Sequence, residues 1–178
     1  AVPFPDELGS NPMFSGEAFR VFAPVGDEAM AIICYNLNNE ETGASVKATI
    51  SPQDFRWRNA LVNGIPAEYD EEGMLIYDWE KKTGLLLRAP AEMTLKGFTD
   101  RLLFLCPVRD GWAVVGVEEK YLSPAVVRIV SRTQEKLVLD VLASGTLKVW
   151  AEDELGGRMR TIEVEVGKPG MKRITIKR

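Results

Sequence analysis

Two runs with almost no polar residue, Arg101-Leu102-Leu103-Phe104-Leu105-Cys106 and Trp112-Ala113-Val114-Val115, are separated only by Pro107-Val108-Arg109-Asp110-Gly111. A strand with one wet face alternates apolar and polar side chains, and neither run does so. Both sides of each are therefore expected to be buried, as in the central strands of a layered β structure. Pro107 cannot continue a strand ladder, and Asp110-Gly111 can supply the positive φ of a tight turn. The stretch 97–121 thus reads as the middle hairpin of a β-sheet core.

The rest of the chain has the same grammar of short strands and turn residues. Phe19 to Val25 and Ala29 to Leu37, joined at Gly26-Asp27, read as a first hairpin with one inner strand. Ser45-Val46-Lys47-Ala48-Thr49-Ile50 alternates as a half-buried strand does. Met74 to Trp79, Leu85 to Arg88 and Met93 to Lys96 continue the series. Ala125 to Val130 fits helix or strand, and its β-branched residues favour strand. Segments 137–142, 147–150, 161–166 and 172–177 alternate again, with Ser144-Gly145, Gly156-Gly157 and Pro169-Gly170 between them. The expectation is an all-β, antiparallel β-sandwich of about ten strands in a single domain spanning 1–178.

Two stretches break the pattern. Residues 1–18 carry Pro3, Pro5, Gly9, Pro12 and Gly16 and read as an extended lead-in. Residues 51–73 form the longest irregular loop, beginning with Ser51-Pro52-Gln53-Asp54-Phe55, which fits one helical turn. Long loops in small domains are commonly functional. This one holds Phe55, Trp57 and Tyr69 among polar residues, so these three are the candidate carbohydrate contacts. An amphipathic ring stacks on the apolar face of a sugar while neighbouring side chains bond its hydroxyls. Simple loop packing is the competing explanation. Trp79, Trp112 and Trp150 lie in strand runs and are expected in the core.

With 178 residues the chain can bury a core of its own but cannot contain a (β/α)₈ barrel, which takes roughly 200–250 residues. The 22 Lys and Arg and 26 Asp and Glu are interspersed, leaving no basic face for nucleic acid. No apolar run approaches the roughly 20 residues of a membrane span, and Ala1-Val2-Pro3-Phe4-Pro5 has no signal-peptide character. A cytoplasmic setting and no membrane partner are expected. The start without methionine fits a fragment or processed product of a longer protein.

Histidine is absent, so Ser-His and Cys-His nucleophilic chemistry and histidine metal sites are excluded. Cys34 and Cys106 read either as two reduced core thiols or as a bridge between strands, and no cofactor or metal is expected. The carboxylate pairs Asp27-Glu28, Glu40-Glu41, Asp70-Glu71-Glu72, Glu118-Glu119 and Asp153-Glu154 are sequence neighbours. A glycosidase needs two carboxyls opposed across a cleft, which neighbours on a strand or turn do not provide. No catalytic residue is expected.

The order of several short motifs resembles the C-terminal region of the raffinose synthase and seed imbibition protein group, allied to the α-galactosidases of glycoside hydrolase family 36. Phe104-Leu105-Cys106-Pro107-Val108 and the following Tyr121-Leu122-Ser123-Pro124 are similar to consecutive segments of that group. So are Asp6 to Arg20, Ala31 to Leu37, and Val46 to Asp54 with its Ser-Pro-x-Asp ending. From Arg128 to Gly145 the chain departs from the group and lacks its glycine-rich loop. The resemblance implies a β-sandwich that follows a catalytic TIM barrel carrying the aspartate nucleophile and acid/base. It further implies a non-catalytic accessory domain that braces the barrel of an α-galactoside hydrolase or galactosyltransferase. Its partners would be that barrel and an oligosaccharide. The alternative is a free-standing carbohydrate-binding module using Phe55, Trp57 and Tyr69.

Overall fold

The structure, a computed structural model, describes residues 4–5, 13–39, 43–56, 58, 73–168 and 170–178. It is an all-β antiparallel sandwich. Fourteen strands are described: β1 (Phe4–Pro5), β2 (Phe19–Val25), β3 (Ala29–Tyr35), β4 (Ser45–Ile50), β5 (Met74–Asp78), β6 (Thr83–Leu87), β7 (Ala91–Lys96), β8 (Asp100–Pro107), β9 (Trp112–Val117), β10 (Val127–Thr133), β11 (Lys136–Val141), β12 (Gly145–Ala151), β13 (Arg158–Val164) and β14 (Lys172–Lys177). The number exceeds the expected ten because each alternating segment finds a partner, and Phe4–Pro5 in the lead-in pairs with Val21 and Phe22 at the edge of β2.

Four sheets result, with strand orders β1-β2-β3-β8-β5-β6, β13-β12-β9, β10-β11-β14 and β4-β7. Side-chain alternation stacks them in layers. One face of the six-stranded sheet, including Phe22, Met30, Ile32, Met74, Leu103 and Leu105, packs on Val46, Ala48, Ile50 and Leu95 of the β4-β7 pair. Its other face, including Ala31, Leu75, Tyr77, Leu102 and Phe104, meets Ala113, Val115 and Trp150 of the β13-β12-β9 sheet. That sheet in turn buries Trp112, Val114, Leu147 and Val149 against Val127, Leu137, Leu139 and Ile176 of the third sheet. Each fully buried Leu or Phe contributes roughly 2 kcal/mol. The two inner sheets are covered on both sides, which is why β8 and β9 read as uninterrupted apolar runs.

β8 and β9 do not form a hairpin within one sheet. β8 pairs with β3 and β5, whereas β9 pairs with β12 in the next layer. The tight turn itself is present: Asp110 and Gly111 have φ of 50° and 72°, and Arg109 and Trp112 exchange both backbone hydrogen bonds at 2.9 Å. The chain uses it as a corner between layers. Two strands that each need cover on both faces gain it when they face one another across an interface, which side-by-side pairing does not provide. A register shift in β9 opposite Lys148 and Val149 inserts Val115 as an extra residue, so Val115 faces one layer and Val117 the other.

Cys34 and Cys106 are buried thiols on opposite faces of the six-stranded sheet, so no bridge joins them. Ser51 opens a 3₁₀ turn over Pro52–Phe55, the helical turn expected there. Its hydroxyl accepts from the Gln53 N–H at 3.2 Å, and the Asp54 carboxylate accepts from the Ser51 N–H at 2.8 Å. A second 3₁₀ turn, Ser123–Val126, takes in the first two residues of the ambiguous stretch 125–130, and the rest of that stretch is strand from Val127. Among the described residues, no helix is long and apolar enough to cross a membrane.

Candidate functional site

Of the three aromatic residues expected to contact sugar, Trp57 and Tyr69 lie outside the described residues. Phe55 is 4% exposed and packs in the core between the six-stranded sheet and the β4-β7 pair. The capped turn rolls Phe55 inward while Asp54 pairs with Arg20 at 3.0 Å. Phe55 thus offers no open face to a ligand.

A different group of aromatic residues gathers at one end of the six-stranded sheet. β3 finishes there at Tyr35, β5 at Asp78, and β8 begins at Asp100 opposite Tyr35. The Asp78 carboxylate accepts from the Glu80 and Lys81 N–H groups at 3.1 and 2.9 Å and turns the chain immediately after β5. Trp79 therefore leaves the strand and sits half-buried at the sheet's end, packed against the margin of the core. Trp112 and Trp150 are core residues as expected. The Trp79 indole donates to the Lys120 carbonyl at 3.0 Å and meets the Tyr121 ring edge-on at 5.4 Å. The Lys82 ammonium lies 3.9 Å above the indole and donates to the Glu118 carbonyl at 2.9 Å. Trp79 is a buttress, and Tyr121, 54% exposed, is the ring it presents to solvent.

The lead-in and the β7–β8 turn complete this end. Asn36 is buried and donates from its side chain to the carbonyls of Ala44 and Leu95, at 2.8 and 3.1 Å. The Asn39 N–H reaches the Met13 carbonyl and the Asn38 side chain the Ser15 carbonyl, at 3.1 and 3.0 Å. These bonds fix Met13 and Phe14 beside the Asn36 corner, with Phe14 60% exposed. Gly97 closes the β7–β8 turn and projects Phe98, 76% exposed. Between Phe98 and Glu80 runs an open groove of about 530 Å³, lined by Thr94, Leu95, Lys96, Thr99, Asp100 and Arg101 as well. The Arg101 guanidinium is held in place by Glu80 and Asp78.

Charge at this end is closely managed. Tyr77, fully buried, donates to Glu118 at 3.3 Å, and Lys148 pairs with the other Glu118 oxygen at 3.3 Å. Burial, reinforced by Glu118, pushes the Tyr77 phenol well above its ordinary value. Glu119 points the other way and accepts from the Thr146 hydroxyl and N–H, which holds its carboxyl below the usual range. Burial and the neighbouring Tyr35, Asp100 and Glu80 raise Tyr121. The carboxylates of the sequence pairs act as tethers: Asp27 caps the Ile129 N–H at 2.7 Å, Glu28 clasps Arg132, and Asp153 accepts from Leu155 and Gly157. Glu40-Glu41 and Asp70-Glu71-Glu72 lie outside the described residues. Among the described residues, no group of three or more acidic or thiol side chains converges to hold a metal ion.

Nothing in the order of residues marks this end. Phe14, Phe98 and Tyr121 come from three separate turns, and only the pairing of β3 with β8 and the layer crossing at β9 unite them. No family model matches the chain, and none of the curated proteins is significantly similar to it in sequence.

Proposed function

We propose that this chain is a non-catalytic accessory domain of an α-galactoside-processing enzyme, seated on a catalytic barrel through the apolar end of its six-stranded sheet. One observation carries the reading. Among the described residues, Met13 and Phe14, both exposed large apolar side chains, stand side by side on the lead-in that Asn38 and Asn39 hold against that end. The outer face of the β4-β7 pair is polar, with Lys47 and Glu92 paired across it, and that of the third sheet carries the Asp140–Arg173 pair. A surface that is wet on its broad faces and apolar at one end suits end-on docking. The barrel and its substrate class come from the resemblance of the motifs 6–20, 31–37, 46–54, 104–108 and 121–124.

The coding sequence upstream of Ala1 tests this reading: a barrel with two catalytic aspartates is the expected finding, and a different domain there overturns it. The isolated chain is expected to leave nitrophenyl α-galactoside intact. Turnover that survives purification and vanishes with one carboxylate substitution refutes a non-catalytic role. The alternative of a free-standing module built on Phe55, Trp57 and Tyr69 is weakened by the burial of Phe55.

A further inference from the structure

We infer that the groove between the β5–β6 and β7–β8 turns is a binding site for a neutral oligosaccharide. Its rim carries Phe98, and Tyr121, beyond the lining, packs on Trp79, the residue preceding Glu80. Both rings are more than half exposed. Trp79, itself covered by Lys82, packs edge-on behind Tyr121, so the ring is preorganised and its immobilisation adds little to the cost of binding.

The polar lining decides the class of ligand. Glu80 and Asp100 supply two negative charges, Lys96 and Arg101 two positive ones, and Thr94 and Thr99 two hydroxyls. The lining charges cancel and Asp78 behind Arg101 adds one more negative, so the groove has no field to favour a phosphate or a nucleic acid. Carboxylate, guanidinium and hydroxyl groups side by side offer both donors and acceptors. A pyranose matches this arrangement: its hydroxyls donate and accept, while its C–H face lies on an aromatic ring. The volume of about 530 Å³ and its open side suit a short oligosaccharide crossing the surface.

The inference rests on the proposed function only for the choice of galactosyl sugars. The test uses the intact chain and stachyose, with maltotetraose as comparison and amide NMR shifts as readout. Saturable binding with a dissociation constant on the order of 1 mM is expected, with shifts at Phe98 to Arg101 and Tyr121. Phe98→Ala and Asp100→Asn, both at exposed positions, should each weaken it about tenfold, and Lys47→Ala on the polar outer face should not. No saturable response to either sugar, or binding untouched by both groove variants, overturns the inference. Preference for maltotetraose preserves the groove as a sugar site and counts against the α-galactoside assignment. Docking on a barrel is judged separately by the gene sequence, so either idea fails without the other.

Discussion

Glu28, in the turn between β2 and β3, and Arg132, on β10, are 104 residues apart and meet through paired hydrogen bonds. Their side chains are 13% and 11% exposed, so the pair is shielded from water. Next to it, Asp27 caps the Ile129 N–H and the Arg58 Nε donates to the Ala29 carbonyl at 2.9 Å. The six-stranded sheet is thereby clamped to the third sheet, two layers away. Removing one partner leaves a nearly buried charge unmatched. Arg132→Met is expected to lower stability by about 3 kcal/mol in urea unfolding, and the double variant Glu28→Leu/Arg132→Met to recover much of that loss. Additive losses in the two single variants argue against the clamp.

A second constraint lies at Gly116, where φ is 100° and an added Cβ would stand 1.9 Å from the Ser123 carbonyl oxygen. The Ser123 hydroxyl donates to the Val115 carbonyl at 2.9 Å, so the 3₁₀ turn is locked onto the bulge and cannot retreat. Gly116→Ala should cost about 3 kcal/mol or more, because strain and collision add. Gly170 has φ of 59° with open space around its Cβ direction, and Gly170→Ala should cost only about 1 kcal/mol. Thermal unfolding of the two variants checks the contrast, and equal losses contradict it.

Strand positions and inward-facing residues were largely legible because alternation is a local signal. In β4, Val46, Ala48 and Ile50 are buried while Ser45, Lys47 and Thr49 are exposed, as their sequence order requires. The unbroken run from Leu102 to Cys106 likewise announced burial on both faces. Sheet membership was not legible. An Asp-Gly turn closes a hairpin and a corner equally well, so nothing near Asp110 tells which layer receives β9. The pairing of β4 with β7 is also set by the far side of the core, where Val46 lies opposite Leu95. Trp79 departs from the expected strand for a local reason: Asp78 is the last residue of β5, and its carboxylate turns the chain immediately after it. Tyr121 and Phe98 carried no signal in sequence, because a ring's exposure depends on which neighbours the topology supplies.

Acid stability follows from the Arg173 guanidinium, which donates two hydrogen bonds to Asp140 at 2.7 and 2.9 Å and holds its carboxyl below the ordinary value. A depressed carboxyl stabilises the fold above the unfolded pKa, near 4, and this contribution is lost as pH falls through the folded value. Asp140→Asn should therefore be less stable than the parent at pH 7, with the difference closing below about pH 4. Urea midpoints measured across this range decide it; a gap that stays constant with pH separates the variant's effect from titration.

The alkaline limb belongs to Cys106 and Tyr77. Burial raises the Cys106 thiol, and burial with Glu118 raises the Tyr77 phenol. For a group raised in the folded state, the stabilisation is complete below the unfolded pKa and declines as pH climbs toward the folded one. The unfolded chain begins to lose the cysteine proton near pH 8.5 and the tyrosine proton near pH 10, while the folded chain keeps both. Stability should hold level through neutral pH and fall above about pH 9, with one thiol contributing at most about 1.4 kcal/mol per pH unit. Cys106→Ala should cost about 1–2 kcal/mol at pH 7 through the cavity it leaves, yet reduce the slope between about pH 8.5 and 10. In the native protein a thiol reagent should label Cys106 only after denaturation. An alkaline slope unaltered by the substitution would mean that the folded thiol loses its proton over the same range as the unfolded one, which refutes the raised value.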